Sequence, residues 1–403
     1  MSISKKGLDP SSIGRGNVEM IFRLIQREGG ISRTDIAEKT GLSKTAVSSS
    51  VNQLLERDLI LEDKHKRYSK VGRKPRILSV NADGRYFISI DIGGTTVKYG
   101  IGNLVGDICS TKTIQTPDHW ENLFTDITYR VENCGGWSCI SPEKISALAI
   151  AVPGVVNADG TISYVPNIEG LDRVKLGSEL EKTLDLPILL ENDVNASVLG
   201  EYRERRSNYS NIVFIAVGTG VGGGIIFGGE LYRGSLNHAG EVGWFVPSLN
   251  EMEGDLVDSK GPLESRISGP DLVKRAKEML TEYPDDPLSE KAGELNPKLI
   301  LSKRDKSRIS RHLTEDWINE ISLLIANITT IIDPELVVIG GGVSKTGGKY
   351  IDEIREKVKQ NTQTPPEIDL TTLGDDAPLY GGLAVCRHNY SRLLWNSDEG
   401  VRG

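Results

Sequence analysis

Ala37, Gly41 and Val47 keep the spacing of a helix-turn-helix, and no other feature constrains the chain as tightly. Ala37 suits the inner face of a first helix, Gly41 a backbone turn that a Cβ would resist, and Val47 the anchor of a second helix. Ser32 with Asp35 forms a capping-box-like start for the first helix, with Asp in place of the usual Glu. Ser43 is placed to cap the second, which buries Val47, Val51, Leu54 and Leu55 at helical spacing. The opposite face carries Ser43, Lys44, Thr45, Ser48, Ser49 and Asn52, short and polar enough to enter a major groove. Ser32 and Arg33, at the entry to the first helix, complete the candidate DNA contacts. The alternative is a small helical bundle that binds a protein.

Charge favours DNA. Residues 1–76 hold 16 Lys and Arg against 9 Asp and Glu, while the rest of the chain holds 32 against 47. A basic head on an acidic body suits phosphate contact at one end only. The densest stretch is Lys64, Lys66, Arg67, Lys70, Arg73, Lys74 and Arg76, where a winged helix carries its hairpin and exit. Within it Gly72-Arg73-Lys74-Pro75 resembles the Gly-Arg-Pro core that lies in narrow A·T-rich minor grooves, which makes Arg73 and Lys74 candidate minor-groove contacts.

A chain of 403 residues is too long for one compact core. The expected division is a winged helix-turn-helix over 1–76 and a second unit over 77–403. With 38% hydrophobic residues and 44 glycines the composition fits a soluble α/β protein. No run of 18 apolar residues and no apolar N-terminal segment is present, so a cytoplasmic protein without a membrane partner is expected. Cys109, Cys134, Cys139 and Cys386 are few and irregularly spaced, as reduced structural thiols are. Beyond Asn81, apolar strands at Tyr86–Ile90, Ile145–Ala151, Ile188–Leu190, Ile212–Val217 and Leu336–Ile339 alternate with helical stretches, an α/β arrangement. Glu282–Lys306, rich in Pro and charge, reads as a surface excursion.

Three glycine-rich turns follow strands. Asp91-Ile92-Gly93-Gly94-Thr95 comes after Phe87–Ile90, Gly218 to Gly224 after Ile212–Val217, and Gly340-Gly341-Gly342-Val343-Ser344 after Val337–Ile339. Glycine there lets backbone N–H groups approach phosphate oxygens, and a carboxylate such as Asp91 holds hydrated Mg²⁺. Candidate nucleotide contacts are Asp91, Gly93, Gly94, Thr95, Gly218, Thr219, Gly220 and Gly341. No Walker or dinucleotide fingerprint is matched. Glu191-Asn192-Asp193-Val194-Asn195-Ala196 follows an apolar strand between the first two turns. A carboxylate there can take a proton from a sugar hydroxyl attacking a γ-phosphate. Taken alone, Asn-Asp more often marks a helix N-cap; its position between two phosphate-type turns favours the functional reading.

With these residues in place the chain resembles the ROK family, whose name joins repressors, open reading frames and kinases. The likeness runs from about Asn17 to Cys386. It is carried by the winged helix ending in Gly-Arg-Lys-Pro, Asp91–Thr95, Glu191–Ala196, Gly229–Trp244 and Leu373–Gly381. Having both halves resembles the repressor branch, which includes xylose- and glucose-responsive regulators. The resemblance implies an actin/hexokinase-like, RNase H-like pair of lobes, one about 86–195 plus a C-terminal helix about 383–399, the other about 196–382. It also implies a sugar in the cleft, with Asn192 and Asp193 as the sugar-binding pair and Asp193 the base in kinases. Glu241 and Glu264 match two further sugar carboxylates, and Gly154 and Asn167 lie in segments lining the sugar site. Carboxylates accept pairs of hydroxyl hydrogen bonds in directions that distinguish epimers.

The departures matter too. The family follows its Glu-x-Gly with His and then a cysteine cluster holding zinc. Here Trp244 takes that place and Phe245 to Ser268 holds neither Cys nor His, so no zinc is expected. Trp244 either stacks on a sugar face or fills the space the metal left. The expectation is therefore a sugar-released repressor, a homodimer or higher homo-oligomer on an A·T-rich inverted repeat, needing no cofactor. The alternative is a sugar kinase with a DNA-binding head, using ATP and Mg²⁺.

Overall fold

The computed structural model describes residues 10–63, 76–163, 165, 168–205, 208–248 and 260–396. Lys64, Lys66, Arg67, Lys70, Arg73 and Lys74 of the basic stretch, and Asn167 of the sugar segment, lie outside the described residues.

The head has three helices, Pro10–Glu28, Arg33–Thr40 and Lys44–Glu56, and a small antiparallel sheet in the order Ile31–Ser32, Ile77–Val80, Ile60–Asp63. Its turn is built as the spacing requires. Gly41 closes the second helix at φ 71°, and Ser32 and Asp35 cap its start reciprocally. The Ser43 side chain accepts from Ala46 N to open the third helix, satisfying a donor the helix itself cannot. Val47, Val51 and Leu54 are buried, and Leu55 and Ala37 pack against them partly buried.

This core does not end at the head. Val18, Ile21, Phe22 and Ile25 belong to one apolar cluster with Phe87, Leu104, Ala147, Leu383, Cys386 and Tyr390. Tyr390 meets Phe87 edge to face at 5.1 Å between ring centres. Burial of this kind, at about 25 cal/mol per Å² of apolar surface, makes head and body one packed unit rather than beads on a linker.

The body has two five-stranded sheets. The first runs Ile188–Asn192, Ile145–Val152, Tyr86–Ile92, Thr96–Asn103, Ile108–Gln115; the second runs Glu230–Leu231, Val221–Phe227, Ile212–Val217, Leu336–Gly340, Glu367–Leu370. The first three strands of the first sheet are parallel, and so are the last three of the second. Ile145–Val152 is buried at seven of its eight residues, as a central parallel strand covered on both faces must be. Two helices join the lobes. Ala377–Asn396 lies on the first sheet, Asp193–Glu204 on the second, and the two pack on each other. They cross at glycine: a Cβ on Gly381 would stand 1.7 Å from Ala196 O, and one on Gly200 2.5 Å from Ala377 O. The C-terminal helix thus starts at Ala377, before the residue 383 expected from sequence.

Glu282–Lys306 is not a surface excursion. Leu288, Ile300 and Leu301 are buried in the core of the second lobe around the helix Arg308–Ile332. Asp286 accepts from Ser307 Oγ at 2.7 Å and from the N–H of Leu288 and Ile309. Three widely spaced apolar anchors hold a segment whose composition otherwise reads as loop. No described helix is long and apolar enough to cross a membrane.

Candidate functional site

The parallel strands of both sheets end at one cleft, the usual ligand position in α/β folds. Tyr86–Ile92 delivers Asp91 and Gly93, Ile145–Val152 leads into Gly154, and Ile188–Asn192 delivers Asn192 and Asp193. Across from them Ile212–Val217 delivers Gly218, Thr219 and Gly220, and Leu336–Gly340 leads into Gly341. The cleft encloses about 1160 Å³ and is lined by all of these together with Gly94, Glu241, Trp244 and Glu264, ample for a sugar. Thr95 is exposed and not among the lining residues. Asp172, His238, Lys260 and Asp375 also line the cleft and were not identified as site residues from sequence. Asp375 lies in the Leu373–Gly381 stretch and Lys260 abuts Gly261-Pro262-Leu263-Glu264, so their neighbourhoods carried a signal that the residues themselves did not.

Asn192 is both cap and site residue. Its Oδ1 accepts from the N–H of Val194 and Asn195 at 3.0 and 2.9 Å. Its Nδ2 donates to Gly154 O at 2.9 Å and Asp193 Oδ1 at 3.1 Å. With both donors engaged, Asn192 fixes the Asp193 carboxylate at the first turn of a helix, where an anion is favoured. Glu191 behind it is buried and takes Arg233 Nη2 at 2.5 Å from the opposite lobe. Glu264 Oε2 accepts from Val221 N at 3.0 Å. Lys260 Nζ is paired with Asp271 at 3.0 Å.

Desolvation governs the carboxylates. Burial pushes Asp193 up to about 6; the Val194 N–H opposes it and the Glu241 charge adds to it. Burial also pushes Asp91 up to about 7, with the Asp193 charge adding and Lys98 opposing. Glu241 is raised too, by burial first, while His238 works against the shift. A cleft of buried carboxyls whose charges repel is suited to a ligand that offers many hydroxyl donors. Trp244, 42% exposed, also lines the cleft.

The glycine turns divide. Gly341 has φ 88°, and a Cβ there would stand 2.5 Å from Val217 O, so the fold itself demands glycine. Gly222, Gly223 and Gly224 lie not in a loop but in the strand Val221–Phe227, where Gly224 packs under Val194 and Val198. At Gly218 an added Cβ would make only ordinary contact, and at Gly220 it would stand 3.1 Å from Glu264 Oε2. Between them the turn is closed by Gly218 N–H donating to Gly220 O at 2.9 Å, and Gly218 O accepts from Gly269 N–H at 2.8 Å. Among the described residues no three His, Cys, Asp or Glu side chains are grouped to hold a metal ion.

On the head, Ser43, Lys44, Thr45, Ser49 and Asn52 are exposed and Ser48 half-buried along one face. Ser32 is buried and its hydroxyl is bonded to Asp35 at 2.8 Å, so it caps a helix rather than facing DNA. Arg33 is held by Glu62 and Asn52.

The ROK family profile matches residues 87–389, three quarters of the chain. This chain belongs to the ROK family. A winged helix-turn-helix DNA-binding profile matches residues 17–60 of the same ROK chain. The xylose repressor of Caldicellulosiruptor bescii is 27% identical, over 92% of this chain and 94% of its own. The glucokinase of Streptomyces coelicolor is 30% identical, over 74% of this chain and 97% of its own. Among solved structures, a ROK family transcriptional regulator, a homolog of the E. coli MLC protein, superposes with a TM-score of 0.80 at 20% identity, covering 96% of this chain and all of that one. A ROK glucokinase from Streptomyces griseus, in complex with glucose and AMPPNP, gives 0.62 at 28% identity, covering 75% and 99%. The glucokinases cover about three quarters of the chain, the repressor and the regulator more than nine tenths.

Proposed function

We propose that this ROK protein is a sugar-responsive transcriptional repressor, with a DNA-binding head over 1–76 and a sugar-binding body over 77–403. The observation that carries it is the winged helix packed into the same apolar core as the lobe that bears Asn192 and Asp193. Sugar sits against Asn192, Asp193, Glu241, Glu264 and the Gly154 turn, with Trp244 at its apolar face. The names of the full-length relatives make xylose the first sugar to test. One helix-turn-helix reads one half-site, so the protein works as a homodimer on an inverted repeat. Arg73 and Lys74 serve its A·T-rich flanks, and the protein acts in the cytoplasm.

The second reading, sugar phosphorylation, is favoured by Asp193, whose carboxyl is pushed up to about 6, towards the range of a general base. There Asp193 would take the proton of the attacking hydroxyl, Asp91 would hold Mg²⁺, and the Gly218–Gly220 turn would lie beside the phosphates. ATP and Mg²⁺ would supply the transferred phosphoryl group and its charge neutralisation. A panel of pentoses and hexoses, with and without ATP and Mg²⁺, separates the two readings. A sugar that raises the melting temperature without nucleotide, releases promoter DNA and yields no sugar phosphate is the expected result. Turnover to a sugar phosphate would overturn a purely regulatory role.

A further inference from the structure

Asn52 is exposed in the helix Lys44–Glu56, on the face shared with Thr45, Ser48 and Ser49, at spacings of three, four and seven. An asparagine so placed ordinarily reads adenine: its oxygen accepts from N6 while its nitrogen donates to N7. Here the oxygen is occupied. Arg33 Nη1 and Nη2 both donate to Asn52 Oδ1, at 3.1 and 3.2 Å, which fills both of its lone pairs. Chemistry fixes the direction of the amide, because a guanidinium carries five donors and no acceptor, so only the oxygen can face it.

Arg33 is itself held. Its Nε donates to Glu62 Oε1 at 3.1 Å and its Nη1 reaches Ser48 O at 3.5 Å. Glu62, on the strand Ile60–Asp63, also receives Arg76 Nη1 at 2.8 Å. Burial works against the charge on Glu62, but the two guanidiniums outweigh it and hold the carboxyl below its ordinary range. The clamp therefore runs from the wing strand through Glu62 and Arg33 to the amide.

We infer that Asn52 is a donor-only base reader that selects guanine, with Arg33 and Glu62 as its positioning residues. Its two amide N–H groups match the O6 and N7 acceptors of guanine, whereas the N6 amino group of adenine meets them donor to donor. This rests on the DNA-binding reading of the head.

The test is selection of the full-length protein on a randomised duplex library, followed by binding to duplexes changed one base at a time. Asn52→Ala should flatten the preference at one base pair per half-site and so locate the contact. Wild type should prefer guanine over adenine there by about tenfold or more. Arg33→Ala frees Oδ1, so the preference at that one position should move to adenine. A merely structural arginine would weaken all sequences alike. Glu62→Gln, which loosens Arg33 without deleting it, should give a partial shift and serves if Arg33→Ala fails to fold. A wild-type preference for adenine at that position overturns the inference, and so does guanine retained by folded variants. Failure of wild type to enrich any sequence overturns the DNA-binding reading and this inference with it.

Discussion

Asp91 and Asp193 share one cleft, and burial raises both; the Asp193 charge raises Asp91 further, and the Glu241 charge adds to Asp193. Their carboxyls are pushed up to about 7 and about 6. A folded-state pKa above the unfolded one stabilises below about pH 4 and loses that stabilisation as pH rises to about 7. The ligand-free protein should therefore lose stability between these limits. Asp91→Asn removes a repelling charge and should raise the melting temperature at pH 8, with little change at pH 4.5. About 1.4 kcal/mol per unit applies to a fully buried group, and with the side chain partly open to solvent roughly 1–2 kcal/mol is expected. Equal shifts at both pH values, followed by scanning calorimetry, would mean that the two carboxylates do not repel in the folded state.

The two crossing helices, Asp193–Glu204 and Ala377–Asn396, set how the lobes meet. At Gly381 the obstacle to a side chain is backbone, Ala196 O at 1.7 Å, so no rotamer change relieves it. Gly381→Ala should separate the helices and cost about 3 kcal/mol or more, whereas Gly374→Ala, at φ 57° with open space around it, should cost about 1 kcal/mol. Denaturant midpoints of the two variants check this, and similar losses would mean that the crossing is not tight. Sequence made the strands legible because Ile145–Val152 and Ile212–Val217 are apolar almost throughout, and the head legible because Gly41 and the Ser32–Asp35 cap are local chemistry. It did not reveal Gly381 as a crossing point or Leu288, Ile300 and Leu301 as core, since both depend on partners far along the chain. The same limit explains Arg33, a plausible DNA contact by position that tertiary contacts to Glu62 and Asn52 employ elsewhere. Asp375, gripped by Lys345 from one side while Lys98 holds its carbonyl, was equally invisible to local pattern.

At the scale of the molecule, the head is continuous with the first lobe through Tyr390, Phe87 and Leu383, while the second lobe faces it across the cleft. Arg233 on Glu191 and Asn237 Nδ2 on Val156 O at 2.9 Å reach from the second lobe to the first. On the proposed homodimer, closure on a sugar would turn each head with its first lobe and change the spacing of the two heads. A sugar moves that equilibrium only by its differential affinity for the closed state, so release must saturate with binding. Asp193→Asn keeps the shape of the side chain but removes a charge and replaces an acceptor with a donor. The most direct measurement is operator release against sugar concentration, read by fluorescence anisotropy for wild type and this variant. The expected result is equal operator affinity without sugar, release of wild type at its sugar-binding concentration, and at least about tenfold weaker response from Asp193→Asn. A variant that leaves DNA at the wild-type sugar concentration would contradict this and place the effector site elsewhere.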